Sequence, residues 1–244
     1  MEIKSQITGI ILAGGASRRM GHDKALLKLN GRPLIQYVAE LLDSISAELL
    51  IVGDHEERYK RFGYPVVEDY FRGIGPLGGL HAGLRAASHD LVLAVGCDMP
   101  FLNTDLLCAF AHWADGFDGA ILRHPNGKYL EPLHAVYRRT CVSRLEENIL
   151  SGERKMSVFL SHIHMQYITP MQIAPFDPNM RSFYNVNTLK EWETARYLSH
   201  AQNSDPKPER RNCVLGKQGE FQSNVPCAWS PLRSVWGFRP KLPN

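Results

Sequence analysis

The chain has no long hydrophobic run. Apolar stretches such as Leu91 to Val95 fall far short of the ~20 residues needed to cross a bilayer. Its N-terminus, Met1-Glu2-Ile3-Lys4-Ser5-Gln6, lacks the basic start and apolar stretch of a secretory signal, so a cytoplasmic protein is expected. The five cysteines (Cys97, Cys108, Cys141, Cys213, Cys227) form no C-x-x-C pair. Their odd number and wide spacing suggest neither a zinc site nor a disulfide framework. Gly14 and Gly15 are followed by no Gly-Lys-Ser/Thr, which excludes a Walker A loop, and they do not spell Gly-x-Gly-x-x-Gly. No nucleophile triad and no internal repeat are visible. Ten histidines are scattered; His162 and His164 stand two apart, but no third metal ligand accompanies them.

What is present is the composition of an ordinary globular protein. The 244 residues are 44% hydrophobic and 22% charged, enough for one α/β domain with a large core. Net charge is +3 and uneven. Residues 201–244 hold seven basic and three acidic side chains, which leaves residues 1–200 at −1. The body is therefore not a basic nucleic-acid binder.

Strand and helix signals alternate along residues 1–200. Ile7 to Ala13, Leu49 to Val52, Pro65 to Val67, Leu91 to Gly96, Gly119 to Leu122, residues 133–137 and Ile163 to Thr169 read as strands. Helices are expected from Pro33, over Leu77 to Ala87, Thr104 to Ala114, Thr140 to Leu150 and Thr188 to Ser199. Glu131 to Tyr137 reads as a sheet edge. Such alternation implies an α/β fold, a mostly parallel sheet with helices on both faces. Ligands of these sheets bind at the carboxyl ends of the strands. The glycine turn, Asp69 and Asp98 each follow a strand, so all three fall on one edge. Residues 201–244 change in texture: prolines, basic residues and scattered aromatics without periodicity, which reads as a disordered tail.

The segment Leu12-Ala13-Gly14-Gly15-Ala16-Ser17-Arg18-Arg19-Met20-Gly21-His22-Asp23-Lys24 carries the most chemistry. A strand that breaks into glycines exposes backbone N–H groups. With Arg18, Arg19 and Lys24 beside them, they describe a polyphosphate cradle. Asp98, in Val95-Gly96-Cys97-Asp98-Met99-Pro100, follows a buried strand. It suits Mg²⁺, which takes one or two carboxylates with phosphate and water oxygens; a plain turn or cap role stays open. Asn185 and Asn187, two apart, point the same way if that segment is extended. They suit the hydrogen-bonding edge of a heterocycle or a second metal position, although Asn187 or Thr188 also reads as a helix cap.

The spelling L-A-G-G-x-S-R-R-M-G-x-D-K resembles the nucleotidyltransferase signature, and most closely the molybdenum cofactor guanylyltransferase (MobA) family. The likeness spans residues 7–198, with its motifs in order. It implies a three-layer Rossmann-like nucleotidyltransferase fold and transfer of GMP from GTP to molybdopterin, with Mg²⁺ at Asp98. It further implies that Leu12, Ala13, Gly14 and Gly15 contact the nucleotide and that Arg19 and Lys24 reach its phosphates. Asp69 would touch the nucleotide, with a solvated loop acid as the alternative. Gly75 and Gly79, in Gly75-Pro76-Leu77-Gly78-Gly79, match the family, with tight packing as the alternative. Asn185 and Asn187 would help bind the pterin. Implied partners are GTP and molybdopterin, with molybdoenzymes or cofactor-delivery proteins as protein partners; no nucleic acid or membrane is implied. Where the family commonly has asparagine, this chain has Val52, with Asp54 nearby. A cytidylyltransferase for the same pterin, a sugar-phosphate nucleotidyltransferase and a non-catalytic nucleotide-binding factor are the rival readings. The D-K spelling favours the guanylyl branch.

Overall fold

The computed structural model describes residues 6–13, 23–53, 56–125 and 129–202, the last three by backbone alone. Gly14, Gly15, Arg18, Arg19, Asp54 and the expected tail beyond Gln202 lie outside the described residues. Seven strands form one sheet in the order β5-β4-β1-β6-β8-β7-β9. They are β1 (Ile7–Leu12), β4 (Glu48–Val52), β5 (Val66–Val67), β6 (Leu91–Gly96), β7 (Gly119–Arg123), β8 (Leu130–Arg138) and β9 (Met165–Ile168). The pairings β1 with β4, β1 with β6, β4 with β5, and β7 with β9 are parallel. Only β8 runs against its neighbours, β6 and β7. A two-strand hairpin, β2 (Lys28–Leu29) with β3 (Arg32–Pro33), stands apart.

Alternate residues of each central strand feed opposite faces, as the period of two demands. Ile7, Ile11, Leu93 and Val95 pack with helices α1 (Leu34–Ile45) and α4 (Thr104–Trp113). Ile10, Leu12, Val92 and Ala94 pack on the other face, against α3 (Pro76–Ala86) and α5 (Cys141–Leu150). Both faces are covered, so the central strands β1 and β6 are apolar but for Thr8, whose hydroxyl donates to Glu48 Oε2. Short helices α2 (Glu56–Tyr59), α6 (Met156–Ser161) and α7 (Pro170–Ile173) fill connections. The closing helix α8 (Leu189–Gln202) runs two residues past the expected domain limit at 200. No described helix is long and apolar enough to cross a membrane.

Two sequence expectations need correction. Glu131 to Tyr137 is not a sheet edge, because β8 lies between β6 and β7. The first long helix starts at Leu34, one residue later than expected, because Pro33 ends β3 and occupies the cap position.

A third, smaller cluster joins distant pieces: Leu29, Leu34, Phe101, Val186 and Ala195. It ties the β2–β3 hairpin, the loop after β6 and α8 into one corner. Val186 is fully buried there. Burying a valine stabilises by about 1.5 kcal/mol, enough to fix the register of its neighbours Asn185 and Asn187.

Candidate active site

The carboxyl ends of β1, β4, β5 and β6 gather at one edge of the sheet. Cys97 N donates to Leu12 O (3.2 Å) and Ala13 N donates to Val52 O (2.8 Å), so these strand ends are stitched together. Leu12 and Ala13 keep their side chains in the core. Val52 is buried too, so its side chain is a core group.

One group of expected residues meets over the start of α3. Gly75 caps that helix with φ of 70°, a left-handed value that favours glycine. Gly79 is buried, and a Cβ there would lie 2.6 Å from Leu12 Cδ2 and 3.6 Å from Asp69 Oδ1. Gly79 thus lets α3 press onto the end of β1, which is the packing alternative. Asp69 is half-buried beside it, and Gly75 is exposed.

A second group meets at the end of β6. Asp23 caps a single 3-10 turn, Lys24–Leu26, by accepting from Ala25 N. The turn carries Lys24, whose Nζ donates to Asn187 Oδ1 at 2.6 Å and lies 4.0 Å from Asp98 Oδ2. These three residues stand more than seventy positions apart from one another in the chain. Asp98 O accepts from Val186 N (2.9 Å), which clips the asparagine segment to the strand end. With Val186 turned into the core, the segment offers Asn187 to Lys24. Asn185 is half-buried, and its Nδ2 donates to Phe183 O at 3.3 Å.

The open question of the α8 cap is resolved by hydrogen bonds. Thr188 Oγ1 accepts from Glu191 N, while Glu191 Oε2 accepts from the backbone N–H of Asn187 and Thr188. This reciprocal pattern is a capping box. Thr188 is the cap, and the Asn187 side chain is free to face Lys24.

The Asp98 side chain is 18% exposed. Burial pushes its carboxyl above the usual carboxylate range; Lys24 and its own backbone N–H pull it back, and Glu191 pushes it up again. Its charge is therefore only partly compensated. Among the described residues no group of three His, Cys, Asp or Glu could hold a metal by itself.

Four residues that shape the site carried no clear sequence signal. Tyr59, on α2, is buried with its hydroxyl 3.0 Å from Ala13 O and 2.9 Å from Asp23 Oδ2. His134 and Ser182 are fully buried and bonded, Nε2 to Oγ at 2.9 Å. Ser182 Oγ also accepts from Asn103 N. Asp177 accepts from the backbone N–H of Arg181 and Ser182. This network anchors the segment that ends in Asn185 and Asn187.

Comparison with known proteins fits this geometry. Residues 9–166 match the model of the MobA-like NTP transferase domain. A relative from Pelotomaculum thermopropionicum, named probable molybdenum cofactor guanylyltransferase, is 39% identical over 82% of this chain and 95% of its own. The molybdenum cofactor guanylyltransferase of Syntrophotalea carbinolica is 33% identical over 78% of this chain and 90% of its own. The crystal structure of molybdopterin-guanine dinucleotide biosynthesis protein A from Archaeoglobus fulgidus superposes with a TM-score of 0.69 at 28% identity. It covers 80% of this chain and 99% of its own.

Proposed function

We propose, from the premise that this chain belongs to the MobA-like NTP transferase family, that it transfers GMP from GTP to molybdopterin. The terminal phosphate oxygen of the pterin attacks the α-phosphorus of GTP. The bond from that phosphorus to the β-phosphate oxygen breaks, and pyrophosphate leaves. The products are the guanine dinucleotide form of the pterin and pyrophosphate. The attacking oxygen is already ionised, so no strong general base is required.

The observation that carries this reading is the meeting of Lys24, Asp98 and Asn187. Negative charge crowds at the attacking, reacting and departing groups, so the enzyme has to align them and neutralise it. Lys24 brings a fixed cation to the phosphates. Asn187 offers an amide on the acceptor side of the same lysine. Asp69 and the turn at Gly75 border the nucleotide side, and we assign them to nucleotide contact together with the backbone of Leu12 and Ala13. Gly14, Gly15 and Arg19 carry the cradle role on the likeness of their motif. Asn185 and Asn187 border the acceptor.

Asp98 fits a Mg²⁺ ligand. It is a single, largely buried carboxylate with incompletely balanced charge, and Mg²⁺ asks for few carboxylates when phosphates supply the rest. When bound, Mg²⁺ would add positive charge shared between the phosphates. We place the reaction in the cytoplasm, with residues 1–200 as the catalytic unit and 201–244 as a separate basic extension.

The test is pyrophosphate release by purified protein with Mg²⁺ and molybdopterin, comparing GTP, CTP, ATP and UTP. Turnover with GTP alone, dependent on the pterin, is expected. Turnover with another nucleotide would reassign the base, and none with any nucleotide would overturn the transferase reading.

A further inference from the structure

Ala13 follows the end of β1, and Asp23 caps the turn that carries Lys24. Both of those residues touch one side chain. The Tyr59 hydroxyl lies 3.0 Å from Ala13 O and 2.9 Å from Asp23 Oδ2, and Tyr59 is only 3% exposed. The ring has room because of Gly53, where a Cβ would lie 2.9 Å from Tyr59 Cε2. Gly53 itself is fixed by donating to Val67 O (3.0 Å). The phenol is therefore wedged among the ends of β1, β4 and β5 and has little freedom to move.

Asp23 works in two directions. Its Oδ2 faces the Tyr59 hydroxyl, with Arg58 Nη1 3.6 Å away. Its Oδ1 caps the turn that begins at Lys24. Whatever holds Asp23 thus also aims the lysine that reaches Asn187 and Asp98. Burial and the Asp23 carboxylate both raise the Tyr59 pKa, so the hydroxyl stays a donor at any working pH.

We propose that Tyr59 is a positioning residue that clasps Asp23 to the end of β1 and so sets the aim of Lys24. The clasp rests on the nucleotidyl-transfer reading for its purpose, but its existence can be tested without nucleotide. One hydroxyl joins the backbone at Ala13 to the carboxylate that caps the Lys24 turn. A short contact of this kind preorganises the Lys24 turn, so less binding energy goes into ordering it when a ligand arrives.

Tyr59→Phe keeps the ring and removes only the oxygen. Asp23→Ala and the double variant complete a cycle. Two readouts are needed on the full chain: amide hydrogen exchange without nucleotide, and the dissociation constant for Mg·GTP. For Tyr59→Phe we expect faster exchange confined to residues 23–26, an unchanged melting temperature and about tenfold weaker GTP binding, the worth of a hydrogen bond to a charged group. The double variant should be no worse than Asp23→Ala alone. Unchanged exchange across 23–26 with unchanged GTP affinity would overturn the clasp. So would faster exchange spread over the whole sheet with a lowered melting temperature, since the hydroxyl would then serve the fold alone. Local exchange changes in a protein that binds no GTP would leave the clasp standing and sink the nucleotidyl-transfer reading.

Discussion

The two sides of the site, which we assign to the nucleotide and to the acceptor, are built differently. On the nucleotide side, β1, β4 and β5 run parallel, and the expected chemistry sits just past their carboxyl ends. On the acceptor side, β8 runs the opposite way, and the asparagines arrive from a segment outside the sheet. The nucleotide side needs little beyond its own strands and α2. The acceptor side depends on a relay of polar groups: Asp177, Ser182 and His134, all buried, and the half-buried Asn103. A strand end places a residue by the geometry of the sheet. A segment without a strand must be pinned, and each pin is a separate vulnerability.

The sharpest test of this contrast removes the chemistry shared by both sides. Lys24→Ala and Asp98→Ala should each lower turnover by about 100- to 1000-fold, the usual cost of losing one preorganised charge partner. Melting temperatures should hold, since both side chains are partly exposed. Steady-state pyrophosphate release checks the first point and thermal melts the second. Near-normal rates in both variants would mean that the junction is not where the chemistry occurs.

A smaller effect should separate the two sides. Asn187→Ala removes the partner of Lys24 on the acceptor side only. The acceptor KM should rise about tenfold while the GTP KM stays within about twofold. Equal rises in both would assign Asn187 to the nucleotide side through Lys24, and the division would fail.

The difference also governs what could be read from sequence. The apolar runs at Ile7–Leu12 and Leu91–Gly96 were legible because both faces of a central parallel strand are buried. The edge that gathers Asp69 and Asp98 followed from their places after strands. The mistaken edge at Glu131 has a cause in Pro132. Proline normally marks an edge strand, yet here it lies beyond the β6 pairing, which stops at His134, and opposite an irregularity between Ile121 and Arg123. It has no ladder hydrogen bond to lose. The β2–β3 hairpin did carry a signal, Asn30-Gly31, whose φ values of 48° and 81° suit a tight primed turn. Tyr59 left none: it lies in the charged run Glu56-Glu57-Arg58-Tyr59-Lys60-Arg61 on a four-residue helix, and its partners are 46 and 36 positions away. The pairing of His134 with Ser182 was equally silent, because an alternating strand predicts burial at position 134 but not which hydroxyl will meet it.

That pair supplies the least drastic test, one of stability instead of rate. Burial holds the His134 pKa down at about 4, against an ordinary 6.5. Below pH 6.5 the unfolded chain takes up a proton that the folded chain refuses until about pH 4. The unfolded state binds more protons throughout that window, so stability is complete above pH 6.5 and falls as the pH drops to 4. The loss should approach about 3 kcal/mol across the window. Protonation would also make donors of both His134 ring nitrogens and place a charge inside the anchor of the acceptor segment. Urea unfolding of the wild type and His134→Gln between pH 7 and 4 isolates the effect, because every other titrating group is common to both. The variant should be weaker at pH 7 but flatter with pH. Parallel pH profiles would show that His134 does not carry the linkage, and the acceptor side would then be no more fragile to acid than the parallel strands beside it.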